Sequence, residues 1–205
     1  MAEPLDLGLF PLDLVALPGE RIPLHIFEPR YRQLFADCTL DDRPFVIVRS
    51  GPTGTADTGC ACVFDGLVRR FEDGRLHVIA RGTEPVRVRE ETEGRLYFSA
   101  IVEPLADEPG EAPADLREEV LRRFRAVAAA EGGEERALDP EIPLSYAVAG
   151  VFDLPADVKQ SLLETRSEER RLVAVRDVLS AAERGAAHAA LAAERATTNG
   201  RVTTP

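Results

Sequence analysis

The sequence predicts an α+β fold in which a β domain comes first and a small helical bundle follows. Short apolar runs separated by turn residues fill positions 1–105, a pattern typical of a barrel or a sandwich. From 115 to 184 the apolar residues recur at helical spacing instead. The stretch 106–114 contains Pro109, Gly110 and Pro113 among acidic residues, which is the composition of a linker.

The β half is read from its apolar runs and its turns. The run 45–48 is closed by Ser50-Gly51-Pro52 and suits a buried strand. Asp73-Gly74 lies between two further runs, and such a pair is a strong hairpin signal. A helix over 29–37, with Tyr31, Leu34 and Phe35 along one face, interrupts the strands. The predicted strands are 45–48, 60–67, 76–80, 86–89 and 96–102, within a stretch from Leu5 to about Leu105 that reads as β structure.

The helical half shows three or four helices and a tail. A first stripe of apolar residues is ended by Gly132-Gly133, and a second helix covers 143–152. Asp153-Leu154-Pro155 is interpreted as the cap at which the next helix, with Val158, begins. Ser167 can cap the last helix, whose first turn carries two glutamates where anions favour the helix dipole. We expect disorder over 185–205. The apolar positions are Leu116, Val120, Phe124 and Val127, then Val158, Leu162 and Leu163, then Leu172, Val175, Leu179 and Ala182.

Charge and cysteine content exclude several classes of function. The 205 residues carry 25 basic and 36 acidic side chains, a net charge of −11, whereas nucleic-acid binding depends on clustered cations. No apolar run is long enough to span a membrane, and the first residues lack a signal-peptide pattern. Three cysteines are too few for a disulfide framework. We therefore expect a cytoplasmic protein with no nucleic-acid or membrane partner.

Cys60 and Cys62 stand two residues apart on a predicted strand and so share one face. Two thiolates could supply half of a zinc site, which Cys38 and His25 would have to complete. The alternative is that both are small buried core residues, as free cysteine usually is. We favour the core interpretation and expect no bound metal.

The stretch from Pro18 to Arg32 is the most distinctive in the chain. Alternation places Leu24 and Ile26 on one side of a strand, with His25 and Phe27 on the other. A catalytic interpretation pairs His25 with Glu28 as base and orienting group, but no nucleophile accompanies them. We favour a strand-to-helix corner in which Glu28 caps the helix. The residues assigned a structural role are Pro18, Gly19, His25, Glu28, Pro29 and Arg30.

These residues resemble the N-terminal substrate-recognition domain of Lon proteases. The resemblance rests on Leu9-Phe10-Pro11-Leu12, on Leu17-Pro18-Gly19 and on the run Pro23-Leu24-His25-Ile26-Phe27-Glu28-Pro29-Arg30-Tyr31. It continues through the stretch 79–88, where Pro85-Val86 replaces the usual Arg-Phe, and through the helical half. It covers about 7–184, nearly all of the part expected to be ordered.

The resemblance implies a PUA-like β pseudo-barrel over 1–105, a linker at 106–114 and a helical subdomain over 115–184. It implies a non-catalytic module without cofactors that binds polypeptide or a partner protein, because the ATPase and protease modules have no counterpart here. An RNA-binding PUA-like module and a small hydrolase centred on His25 and Glu28 are the alternatives. We expect the polypeptide site near Phe27 and Tyr31, or at the junction of barrel and helices.

Overall fold

The described residues form six strands and five helices. A computed structural model describes residues 4–52, 54–130 and 137–199, and from 186 onward it describes the backbone alone. The strands are β1 (Leu5–Leu12), β2 (Arg21–Ile26), β3 (Phe45–Gly51), β4 (Gly54–Arg70), β5 (Leu76–Thr92) and β6 (Ser99–Pro104). The helices are α1 (Pro29–Asp41), α2 (Ala114–Ala130), α3 (Leu144–Ala149), α4 (Ala156–Glu164) and α5 (Glu168–Asn199).

The six strands make one sheet that closes on itself. Its order is β2-β5-β4-β3-β1-β6, and a further pairing of β5 with β6 completes the ring. The first half of β5 pairs with β2 on one side, and its second half pairs with β6 on that same side. Strand β2 therefore stands outside the ring as an edge strand. The predicted α+β fold with a β pseudo-barrel followed by helices is confirmed.

The structure merges two of the predicted strands into one continuous strand. The runs 76–80 and 86–89 are joined in β5, which passes through Gly82 without a break. The segment before β2 lies against Gly82 here, since the Gly19 N–H donates to the Gly82 carbonyl at 2.9 Å and the Gly82 N–H donates to the Glu20 carbonyl at 3.0 Å. Glycine in a strand marks such close approaches of two backbones. The positions 96–98 precede β6 rather than belonging to it.

The helical half follows the predicted apolar stripes except at Ala182, which is exposed, and its helix boundaries are corrected. All four stripe residues of α2 are buried, and the helix ends at Ala130; Gly132-Gly133 lies outside the described residues. Helix α4 begins directly after Pro155, which occupies the N-cap position. No side chain caps the start of this helix, so the predicted cap at Asp153 is wrong. Ser167 does cap α5, because its Oγ accepts the Arg170 N–H at 3.4 Å.

The tail expected to be irregular is helical over most of its length. Helix α5 continues past Gly185 to Asn199, whereas we expected disorder over 185–205. The segment is rich in alanine, which has the highest helix propensity of all residues. High propensity over many consecutive residues favours continuation of a helix that is already nucleated. Residues 200–205 lie outside the described part.

Barrel and helices are joined by a common apolar core and by polar contacts. One cluster of buried side chains includes barrel residues such as Phe45 together with helical residues such as Leu163. Lys159, the one lysine of the chain, lies in α4 and forms an ion pair with Glu20 at 2.5 Å. The Gln160 Nε2 donates to the Thr58 carbonyl at 3.1 Å. Lys159 therefore connects the two halves of the chain.

We propose that the stretch 106–114 separates two units along the sequence, but that these two units share a single apolar core. The Glu108 N–H bonds the Arg166 carbonyl, which fastens the first part of this stretch, while Glu111 is exposed. A glutamate-specific protease at low ratio should therefore cut at Glu111 early. We expect the two fragments to elute together from a native sizing column and to separate in urea. Fragments that separate without denaturant, or first cuts inside the barrel, would contradict this expectation.

Candidate functional site

The outer surface of β2 and β5 carries an unusual row of side chains. His25 lies directly opposite His77, and His77 lies opposite Arg69 on β4, so the three side chains line up across adjacent strands. Phe27 follows β2 at 59% exposure, and Phe71 follows β4. We call the set His25, Phe27, Phe71 and His77 the outer aromatic face.

The rings of the outer aromatic face contact one another. The centroid of His25 lies 4.6 Å from that of His77 and 5.9 Å from that of Phe27. Phe71 meets His77 edge-on at 4.9 Å. Such edge and offset contacts between rings are favourable. They hold the side chains together on a solvent-facing sheet, whose opposite side is buried through Leu24 and Ile26.

The hairpin between β4 and β5 brings Phe71 to this position. Its turn closes through the Gly74 N–H, which donates to the Phe71 carbonyl at 3.0 Å, and Gly74 adopts a φ of +85°. Glycine reaches that conformation without a steric cost, so the predicted Asp-Gly turn is confirmed.

The charge of this region differs in sign from that of the whole chain. The Arg69 guanidinium lies 4.5 Å from the centroid of Phe71, and that of Arg75 lies 5.1 Å from the same ring. Arg75 is also paired with Asp73. Among the described residues no carboxylate pairs with Arg69 or Arg70. The outer aromatic face is thus flanked by cations on a protein whose net charge is −11.

Phe27 and Tyr31, the two residues expected to bind polypeptide, are placed apart by the structure. Phe27 is open to solvent, whereas Tyr31 is only 5% exposed and its ring centroid is 4.2 Å from that of Phe10. Tyr31 shares the buried stripe of α1 with Leu34 and Phe35, because residues three and four apart lie on one helix face. Burial raises the pKa of the Tyr31 hydroxyl. Tyr31 therefore supports the corner from inside and leaves the surface to Phe27.

The suggested pair of His25 and Glu28 is not formed. Glu28 occupies the position before α1 without capping it through its side chain, and its carboxylate instead accepts the Arg30 Nε–H at 2.8 Å. His25 is exposed and contacts rings. Pro29 occupies the first turn of α1 as expected.

The remaining residues of the motif hold the backbone. Pro18 forms an isolated bridge with Gly82, and Gly19 has a φ of +81° in the turn that follows. Arg30 lies over the rings of Tyr31 at 4.6 Å and Phe98 at 5.1 Å. Pro18 and Gly19 thus shape the turn before β2, Pro29 and Arg30 lie at the corner after it, and His25 faces solvent.

The cysteines lie in the core rather than in a metal site. Cys60 and Cys62 are fully buried strand residues, as predicted, and burial raises the pKa of the Cys60 thiol. His25 points to the opposite side of the sheet, so the four hypothetical ligands are not brought together. Within the described part of the chain no three His, Cys, Asp or Glu side chains are grouped as metal ligands.

The burial of the thiols predicts their reactivity. Burial raises the pKa of Cys38 to about 11, and the thiolate is the reactive form. In the native protein at pH 8 we expect a disulfide reagent to react with Cys38, Cys60 and Cys62 at least a hundredfold more slowly than after denaturation. Absorbance of the released chromophore measures this, and denatured protein is the control. Rapid reaction of the native protein would place a thiol at the surface.

The described residues also form concavities outside the outer aromatic face. An open groove of about 730 Å³ separates α1 from the hairpin and presents Leu40, which is 84% exposed. A cavity of about 170 Å³, the junction cavity, lies between residues 19–21 and the stretch 137–151. A polar pocket of about 140 Å³ lies beside Asp6, Asp37 and Tyr97. Burial is the main cause that raises the pKa of Tyr97 to about 12, and the hydrogen bond to Asp37 adds to it. The polar groups of this pocket already have partners, because the Tyr97 hydroxyl donates to Asp37 and Arg95 pairs with Asp6.

Phe71 and His77 were not predicted from the sequence to belong to the site. The hairpin signal and the alternation of buried Leu76 and Val78 with outward His77 were present in the sequence. The pairing of β2 with β5 could not be predicted from local patterns, because it joins segments about fifty residues apart. Only that pairing places His77 beside His25.

Comparisons with known proteins agree with this architecture. The family model described as the ATP-dependent protease La (LON) substrate-binding domain matches residues 6–181. A crystal structure of a Lon N-terminal domain protein from Xanthomonas campestris is similar with a TM-score of 0.63 and 25% identity, over 82% of this chain and 95% of that one. The N-terminal domain of a Mycobacterium avium complex Lon protease has the same fold, with a TM-score of 0.64 at 18% identity, over 85% and 98%.

A longer relative matches part of the chain. A Lon protease from Paraburkholderia phytofirmans is 37% identical over 118 residues, which are 53% of this chain and 15% of that protease. The chain thus spans a small fraction of that relative. In the described residues no helix has the length and apolar character needed to cross a membrane.

Proposed function

Because the chain belongs to the Lon substrate-binding domain family, we propose that it is a non-catalytic module that binds segments of unfolded polypeptide through the outer aromatic face. The family description supports substrate recognition as the general role. The particular surface is supported by a cluster of rings on the outer side of the sheet, in which Phe27 and His25 are exposed and Phe71 and His77 half-buried, since aromatic side chains are enriched at interfaces. We place this activity in the quality control of cytoplasmic proteins.

The exposure of Phe27 is the observation that carries the proposal. A phenylalanine at 59% exposure keeps most of its apolar surface in water, and its ring contacts that of His25, which in turn contacts Phe71 and His77. Contiguous exposed apolar patches mark interaction sites more often than scattered side chains do. The cations over Phe71 add favourable contacts for aromatic or acidic side chains of a bound segment.

The test is a titration of a dye-labelled, uncharged ten-residue peptide that alternates phenylalanine or valine with threonine. We expect Phe27→Ser to weaken binding about tenfold, roughly 1.4 kcal/mol. The stability of the variant should change by less than about 0.5 kcal/mol because the side chain is exposed. Anisotropy gives the dissociation constant, and raising the salt from 50 to 500 mM should change it less than about threefold, since apolar contact is not screened.

Leu40→Ser is the matched control, because Leu40 is a large exposed apolar residue in the groove on the other side of the hairpin. It should leave the dissociation constant unchanged. Loss of binding in Leu40→Ser with retention in Phe27→Ser would move the site to the groove. A tenfold loss of affinity at high salt would contradict an apolar mechanism.

RNA binding is the second candidate, and Arg69 favours it, because it pairs with no carboxylate among the described residues and lies over the half-buried ring of Phe71. Single-strand binders combine such cations with aromatic side chains. The net charge of −11 opposes it. A labelled ten-nucleotide uridine strand at 50 mM salt should bind more weakly than the peptide. Tighter binding that falls steeply with salt would favour RNA instead.

A further inference from the structure

We propose that the free edge of β2 binds an extended polypeptide segment as an added strand, through hydrogen bonds between the two backbones. This inference rests on the proposed function and specifies how the polypeptide is held. It commits to a proline-free segment of about six residues with apolar side chains at alternate positions.

Strand β2 has an unoccupied side. In the described part of the chain it pairs with β5 alone, through the register from Arg21 opposite Arg81 to Ile26 opposite Leu76. The ring of the barrel closes through β6 without β2. Edge strands present a row of unpaired N–H and C=O groups that can accept another chain.

The geometry identifies which backbone groups face outward. The Gly82 N–H donates to the Glu20 carbonyl, so by alternation Ile22 and Leu24 also bond towards β5. The N–H and C=O groups of Arg21 and His25 then point away from β5. Pro23 has no N–H and lies at an outward position, where proline is tolerated in an edge strand. Two donors and three carbonyl acceptors are therefore available along the edge.

The side chains beside this edge suit the same occupant. Strand β2 spans about 20 Å at 3.4 Å per residue, which matches six residues of a partner strand. Every second side chain of that partner would lie on the outer surface next to His25 and Phe27. Backbone bonds then provide affinity for many sequences, and the outer aromatic face selects apolar side chains, as in other cases of strand addition.

The Arg21 end of the edge lies beside the junction cavity. That cavity of about 170 Å³ is lined in part by Ile142 and Val151, which are apolar. It offers a place for one further side chain of a bound segment. The two locations expected for the polypeptide site, the corner and the junction, therefore lie at the two ends of β2.

The experiment measures amide hydrogen exchange of β2 by NMR, with and without a saturating amount of the alternating ten-residue peptide. In the free protein we expect Arg21 and His25 to exchange quickly and Ile22 and Leu24 slowly. The peptide should slow exchange at Arg21 and His25 at least tenfold. Binding that leaves both of these amides unchanged would overturn the inference while the proposed function stands.

A pair of variants gives an independent readout. His25→Ala removes the ring and keeps the N–H, whereas His25→Pro removes both at a position equivalent to that of Pro23. We expect His25→Pro to weaken peptide binding at least fivefold beyond His25→Ala. Equal affinities would overturn the inference, and so would exchange at Arg21 and His25 that slows with protein concentration alone, since a second copy would then occupy the edge. A peptide that does not bind at all contradicts the proposed function itself.

Discussion

Replacing Arg171 with leucine is expected to lower the free energy of unfolding by about 3 kcal/mol, the lower end of the range for breaking a buried ion pair. The Arg171 side chain is completely buried. Its guanidinium donates to both carboxylate oxygens of Asp107 and to Glu168, and it lies 4.3 Å from the ring centroid of Tyr146.

The size of the effect follows from what the substitution leaves behind. The Glu168 side chain is only 14% exposed, so its carboxylate would stay buried without a cation to pair with. The Asp107 side chain is 36% exposed, so water could solvate its carboxylate. Because Asp107 belongs to the stretch before α2, the loss also removes one of the contacts that hold this stretch to the helices. The hydrogen bonds of Ala106 and Glu108 to Arg166 remain.

Urea denaturation followed by circular dichroism measures the loss. Arg176→Leu is the control, because Arg176 pairs with Asp177 at the surface and exposed pairs contribute less than about 1 kcal/mol. A loss under 1 kcal/mol for Arg171→Leu would show that this buried network does not stabilise the fold.

Replacing Gly82 with alanine is expected to destabilise the protein by about 3 kcal/mol, at the upper end of the usual cost of overpacking. A Cβ atom at this position would come within 2.9 Å of the Leu17 carbonyl carbon and closer still to its oxygen. These are backbone atoms and cannot turn away. Relief requires the segment 17–20 to move, which breaks its two hydrogen bonds to Gly82.

Gly66→Ala provides the matched control in the same sheet. No atom lies within 4 Å of a Cβ built on Gly66, so this substitution should be neutral or stabilising by up to about 1 kcal/mol. Thermal and urea unfolding of both variants measure the difference in their free energies of unfolding. Equal stability of the two variants would contradict the close crossing at Gly82.

Local sequence patterns predicted the elements that depend on near neighbours. The turn at Asp73-Gly74, the buried stripe of α2 and the cap at Ser167 were all readable, because each depends on residues within a few positions. Alternation also placed His25 and Phe27 on the outer side of β2.

The candidate site could be predicted only in part. The outward position of Phe27 was predicted, but the burial of Tyr31 depends on how α1 packs against Phe10 of β1. Phe71 and His77 join the site through strand pairing, and Asp107 reaches Arg171 across 64 positions of sequence. Contacts between distant segments leave no local pattern, so the face and the buried network both required the structure.

The most direct test of the account maps where a polypeptide binds. Chemical shifts of the ¹⁵N-labelled protein are recorded while the alternating ten-residue peptide is added. The account predicts that the largest changes cluster on β2 and on the outer aromatic face, at Phe27, Phe71 and His77, with little change around Leu40. Saturating changes confined to the groove beside α1 or to the polar pocket near Tyr97, or none at all, would contradict it.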